Sequence, residues 1–355
     1  WQSVKEEAEM AEQTAGSVVF APEAPRVKVA RWLRRFRRMP IIPSIMLGVF
    51  IFVGIAAPWI SPHDPLISDL RDRNTPPMLA SSETSLKTVV QRLSINERSF
   101  QITLQTASLD YPGVKIGDEI EVVTKIGGPT KYILGTDHLG RDVLSRVIHG
   151  ARVSLIVVTL VILVGITIGV TVGMLAGWYG GWVDEVCMRL VDIKLAIPTI
   201  LLALVMVLAL GQSFVLIVAV LALTIWPRIA RNVRGEVLSL KTADYVGLAK
   251  VAGASTPRIM IVHIFPGLIN TLIVLTTLEI GIVILLEATL SFLGAGVPPP
   301  TPAWGSMVAD GRDRLAGAWW ISTLPGLAIV AVVMAANVFG DWLRDTLDPR
   351  LRQLG

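Results

Sequence analysis

Long unbroken apolar runs alternate along the chain with shorter polar connections, and six of the runs suffice to cross a hydrocarbon core of about 30 Å, which takes about 20 helical residues. They lie near Ile41–Ile60, Val153–Gly177, Leu195–Gly211, Phe214–Ile229, Leu268–Leu293 and Ile321–Trp342. The pattern predicts an all-α polytopic membrane protein. The polar stretch from Ser61 to Arg152 differs in kind. Within it, FQITLQT and DEIEVVTKI alternate apolar and polar residues with period two, with turn formers DYPG and KIGG between and after them, so a small β-rich unit is predicted near Ser81–Tyr132. In the following LGTDHLGRDVLSRVIHGAR, Leu139, Val143, Val147 and Ile148 recur at helical spacing opposite Arg141, Asp142, Ser145 and Arg146. That spacing predicts an amphipathic helix lying on the membrane surface.

Composition supports the membrane reading: of 355 residues 52% are apolar and 17% charged, with a mean hydropathy of +0.62. The net charge is only +4, so the position of the basic residues matters more than their number. RVKVARWLRRFRRMP, before the first run, holds seven Lys or Arg and no acid, which places the N-terminal side in the cytoplasm. Six spans return the C-terminus there. Arg189 and Lys194, the run Arg228, Arg231, Arg234, and Arg344, Arg350, Arg352 lie beside the ends expected inside. Residues 61–152 carry eleven basic and eleven acidic residues and are too long for the charge rule, so they are expected to cross as a domain. RWLRRFRR is read as a topology anchor that also meets anionic lipid, not nucleic acid. The expected organisation is a basic tail over 1–40, a span over 41–60, an extracellular loop with the β insert over 61–133, an amphipathic helix and five-helix core over 134–343, and a tail over 344–355. The polar first 25 residues do not read as a signal peptide.

The longest polar break in the second half, TADYVGLAKVAGASTPRIMIVHIFP from Thr242 to Pro266, falls on the cytoplasmic side in this topology. Asp244–Ala252 suits a short helix, Gly253 its left-handed stop, and Ser255 or Thr256 before Pro257 the cap of a second short helix. Pro266 and Gly267 then turn the chain into the fifth span. Gly247, Ala249, Ala252, Gly253 and Ala254 would make a compact knob for another protein's groove; an ordinary surface loop is the alternative.

This stretch resembles the coupling loop of ABC-importer permeases, whose pattern ends in a Gly followed thirteen residues later by a Pro, as Gly253 and Pro266 stand here. LGTDHLGRDVLSRVIHGARVSL, LAGWYGGWVDEVCMRLVDIKLAIPTILLAL, LEATLSFLGAGVPPPTPAWGSMVADGRD and GDWLRDTLDPRLR resemble, in order and spacing, the C-type permeases of the oligopeptide and dipeptide import family. The loop's usual Glu-Ala pair is Gly247-Leu248 here, and the insert is longer than the family's usual first loop. The resemblance implies an inner-membrane importer subunit of a bacterium, with a B-type sister permease, two ATPase subunits that hold ATP and Mg²⁺, an extracellular or periplasmic peptide-binding protein, and a peptide as substrate. It also implies an ATPase-coupling surface over Asp244, Tyr245, Gly247, Leu248, Ala249, Gly253, Ala254, Pro257, Arg258 and Pro266. The chain itself carries no G-x-x-x-x-G-K-[ST] phosphate loop, so no cofactor is expected on it.

Glu279 and Glu287 lie in the fifth run, where a carboxylate costs a few kcal/mol at mid-bilayer, so each needs a partner or an aqueous path. Two readings stand for each: a lining that senses a cationic peptide amine, or a hydrogen bond to a neighbouring helix. Pro198 kinks or begins the third span. His138 and Asp142 have a metal-ligand spacing but lack a third ligand nearby, and Cys187 is read as a packing residue. A transporter or channel working alone would show inverted repeats and broken helices at a midplane site, and a membrane enzyme would show a nucleophile, base or metal cluster. A permease for chelated nickel is the alternative within the importer class.

Overall fold

The computed structural model describes residues 39–78, 83–91, 101–110, 114–125 and 131–347. The basic run 31–38, Arg350 and Arg352 lie outside them, as do parts of the insert. The helices are α1 (Ile41–Ile60), α2 (Leu104–Asp110), α3 (Val143–Tyr179), α4 (Gly181–Ala196), α5 (Thr199–Leu210), α6 (Phe214–Leu240), α7 (Asp244–Val251), α8 (Thr256–Phe292), α9 (Trp304–Gly311) and α10 (Trp320–Leu347). Among them α1, α3, α6, α8 and α10 are long and apolar enough to cross a membrane, and α4 with α5 makes a sixth crossing if taken as one broken span.

The third run does not form a straight helix. Pro198 stands in extended backbone between α4 and α5, which meet at 83°. Proline disfavours helical backbone at the residue before it, and Ile197 is accordingly extended. With 12 residues, α5 is about 18 Å long and cannot cross alone.

The bundle is organised on the seam between α3 and α6. Gly165, Gly169, Gly173 and Gly177 repeat every fourth residue on α3 and face Ile225, Ile229, Val233 and Val237 of α6. The offset is 60 residues at each contact, so the two helices run parallel in fixed register. A Cβ on Gly173 would lie 2.6 Å from the Ala230 carbonyl oxygen, so only glycine lets the backbones come this close. Without a hydrophobic drive between helices in lipid, such close approach is what holds a pair together. α1 packs on α3, with Gly54 against Ala151 and Leu155, and Phe50 meets the Trp304 ring of α9, while Ile45, Phe52 and Ile55 stay exposed, as a lipid-facing helix requires.

α3 begins ten residues before the expected span, because Asp142 caps it by accepting from the Leu144 and Ser145 amides. The separate surface helix therefore does not exist as such. Its polar face is turned inward: Asp142, Ser145 and Arg146 are all buried.

The insert holds a three-stranded sheet ordered β2-β1-β3, with β1 Glu83–Val90, β2 Gln101–Thr103 and β3 Glu119–Lys125. β1 pairs parallel with β2, Val89 opposite Ile102, and antiparallel with β3, Leu86 opposite Glu121. FQITLQT is thus a strand only through Thr103, and Leu104 opens α2.

Candidate functional site

The Thr242–Pro266 stretch forms one short helix, α7, that ends in a left-handed stop. Gly253 has φ +77°; its amide donates to the Lys250 carbonyl at 3.0 Å, and the Ala254 amide donates to the Ala249 carbonyl at 3.0 Å. This pairing satisfies the orphan carbonyls of the last turn. Val246, fully buried, and Ala249 and Ala254, half-buried against the core, seat the helix. Asp244, Gly247, Pro257, Arg258 and Pro266 are exposed, as are Tyr245, Leu248 (70%) and Val251 (88%). The outer face is therefore apolar, with open space around Gly247 and Gly253.

The second half of the stretch corrects the expectation of two short helices. Ser255 stands at the cap in extended backbone but its side chain makes no cap bond, and Pro257 is the second residue of a helix that continues to Phe292. Pro266 and Gly267 make no turn. Ile259–Ile264 are π-helical, and Pro266 is the second residue of the following α-helical section, Phe265–Phe292. Proline lacks an amide hydrogen for the regular ladder, and the first residues of a helical section are where that lack is tolerated.

α7 is tied back to the α3–α6 pair through Trp178. Lys250 of α7 places its Nζ 4.9 Å from the Trp178 ring centroid, and Lys241 stands 5.7 Å away while donating to the Trp178 carbonyl. Two cations share one indole, an arrangement favoured by the ring quadrupole.

The two intramembrane acids differ. Glu287 is 1% exposed and accepts hydrogen bonds from the Ser291 hydroxyl at 2.7 Å and the Ser154 hydroxyl at 3.4 Å. It sits between α3 and α8 as a structural polar contact. Glu279 is 6% exposed; one oxygen lies 3.7 Å from the Arg228 guanidinium and the other has no hydrogen-bond partner. Pro198, exposed at the α4–α5 break, is not placed beside either acid by any observed contact.

Two further polar features were not foreseen. At the insert end, Asp137 accepts from the Leu139 and Arg141 amides and from Arg141 Nε at 2.6 Å, with Arg146 Nε at 3.6 Å. Asp142, besides capping α3, accepts from Ser145 Oγ at 2.5 Å and contacts His63 Nδ1 at 3.1 Å. The indole nitrogens of Trp320 and Trp304 donate to the Thr136 and Val147 carbonyls, stapling this network to the bundle. Burial holds His138 below the ordinary imidazole range, against the pull of Asp137 and Asp310. Among the described residues no three metal-ligating side chains come together. At the α7 end, a cavity of about 710 Å³ opens between α6, α8 and α10, lined by Asn232, Glu236, Ser239, Asn270, Thr271 and Arg344 among others. Its signal in the sequence is the 232, 236, 239 spacing, which puts three polar residues on one face of α6.

Residues 169–353 match the family described as the binding-protein-dependent transport system inner membrane component. The Escherichia coli (strain K12) dipeptide transport system permease protein DppC is 39% identical over 97% of this chain and 100% of its own length. The Pseudomonas aeruginosa di/tripeptide transport system permease protein DppC is 44% identical over 64% of this chain and 75% of its own. Among solved structures, the inward-facing MetNI methionine ABC transporter aligns over 58% of this chain and 97% of that one, at 17% identity and a TM-score of 0.48. This multi-pass membrane chain belongs to the family of binding-protein-dependent transport system inner membrane components.

Proposed function

We propose that this chain is one transmembrane half of an ABC importer for small peptides, working with a sister permease, two ATPase subunits that hold ATP and Mg²⁺, and an external peptide-binding protein. The observation that carries the reading is the α7 knob: an exposed apolar face of Tyr245, Leu248 and Val251, stopped at Gly253 and joined through the short link 252–255 to a helix long enough to cross the membrane. A soluble subunit gripping that face can move α8 directly. The names of the relatives support a peptide as cargo.

The knob end also carries Arg189, Lys194, Arg231, Arg234, Lys241, Lys250, Arg258 and Arg344, which supports a cytoplasmic location for it and for both termini in a bacterial inner membrane. The cavity beside it, lined by polar side chains and by Val274, Leu275, Leu278 and Leu347, suits the inner part of a translocation path, completed by the sister chain. Closure of the ATPases would favour one of two packings of the bundle, and release the other.

The test is affinity purification of the tagged chain from its native membrane, followed by reconstitution. A complex of two permeases and two ATPases that moves a dipeptide only with binding protein and ATP is the expected result. A homomer of this chain that transports without ATPase subunits would overturn it.

A further inference from the structure

The pair Arg228–Glu279 lies at the middle of the bundle. Arg228 is fourteen residues past Phe214 and Glu279 thirteen before Phe292, so each stands about 20 Å from the insert end of its helix. In a hydrocarbon core of about 30 Å that leaves about 10 Å to the knob-side surface. Yet the Arg228 side chain is 53% exposed, while Glu279 is buried with one oxygen left without a hydrogen bond. A guanidinium left open at this depth has to face water or another charged group. The 3.7 Å separation is loose beside the 2.5 Å pair of Arg234 with Asp184 and the 2.8 Å pair of Arg231 with Asp192 on the same helix. Lys194 stands within electrostatic range of Arg228, which adds a second cation beside the pair. The cluster thus offers free cationic capacity on one side and a free carboxylate oxygen on the other.

Resting on the peptide reading above, we propose that Arg228 and Glu279 form an intramembrane subsite for the two charged ends of a short zwitterionic peptide, the carboxylate on Arg228 and the ammonium on Glu279. Two residues span about 7 Å between their ends, so a dipeptide bridges the two side chains once the pair opens by a few ångströms. The half-exposed Arg228 reaches that separation by rotamer change. The transit site then holds its own counterions together when empty and exchanges them for those of the cargo when filled. Charge matching of this kind selects for free termini and leaves the side chains of the peptide unread.

The test uses the reconstituted complex with its binding protein, and compares alanyl-alanine with alanyl-alanine amide, which lacks the carboxylate. Each variant is referred to wild type on the same peptide, so the preference of the binding protein cancels. Arg228→Gln should slow alanyl-alanine about tenfold and the amide less than twofold. Glu279→Gln should slow both about tenfold, because both carry the ammonium. Arg228→Lys keeps a cation and should stay within about threefold of wild type on both, which guards against a variant that fails to assemble. Equal loss of the two peptides in Arg228→Gln, with wild type moving both, overturns the subsite alone and makes the pair structural. A wild-type complex that moves neither peptide overturns the peptide reading and the subsite with it.

Discussion

Gly173→Ala tests the closest backbone approach of the α3–α6 seam. The added methyl would lie 2.6 Å from the Ala230 carbonyl oxygen and 2.8 Å from Val233 Cβ, where carbon contacts settle at about 3.5 Å or more. The oxygen belongs to the backbone and cannot swing aside, so the two helices must part by roughly 0.7–0.9 Å. A gap of that size forfeits a quarter to a half of the dispersion well at the flanking contacts, which are Gly169 on Ile229 and Gly177 on Val237. Overpacking of this kind costs about 1–3 kcal/mol, and the better helix propensity of alanine returns roughly 0.5–1 kcal/mol. The net loss is centred on about 1 kcal/mol and is at most about 2.5 kcal/mol. The control is Gly247→Ala on α7, where the same methyl meets nothing within 4 Å. Unfolding of the assembled complex in a detergent titration should show Gly173→Ala destabilised and Gly247→Ala unchanged or slightly stabilised. Equal stability of the two variants refutes the seam argument.

Gly253→Val should leave the complex assembled but lower substrate moved per ATP hydrolysed, because left-handed backbone costs a β-branched residue about 1–2 kcal/mol; Gly253→Asn, which tolerates that conformation, should keep most of the coupling, and identical coupling ratios in the two variants would show that the stop is unimportant. Trp178→Leu should loosen α7 by removing the shared face for Lys241 and Lys250, read as faster hydrogen exchange over Asp244–Val251 with Trp178→Phe close to wild type; unchanged exchange in the leucine variant removes the tie. The lowered pKa of His138 means that the unfolded chain binds more protons between the folded value and about 6.5. Its contribution is therefore present above about pH 6.5 and falls as pH drops below it; His138→Gln should flatten that part of the stability profile, and an unaltered slope would assign the acid sensitivity elsewhere.

The runs bounded by sharp polar punctuation were legible. α1 has the expected limits and α6 the expected start, since Pro40 and Ser213 stand directly before them. Gly253 was legible because a small residue after a helical pattern has few other uses there. Three features were not, each for a physical reason. Asp142, Ser145 and Arg146 read as a water-facing stripe, because periodicity cannot tell polar residues turned to solvent from polar residues paired with Asp137 and His63. The break at Pro198 was expected, but the size of the bend, 83°, was not, because a proline interrupts a helix without setting the angle of the break. Pro266 looked like a turn because the regular ladder has no place for it in mid-helix, and local widening of the backbone supplied one.

That widened section, Ile259–Ile264, changes how force from the knob would arrive. A π turn holds more residues per turn than an α turn, so the stretch stores surplus backbone between α7 and the rest of α8. Passing one residue from the wide geometry to the regular one would rotate one side against the other by about 100° and advance it by about 1.5 Å. The joint then behaves as a screw thread. A pull on the knob would reach Glu279 as torque, turning its carboxylate around the helix axis while the tilt of α8 in the bilayer stays the same.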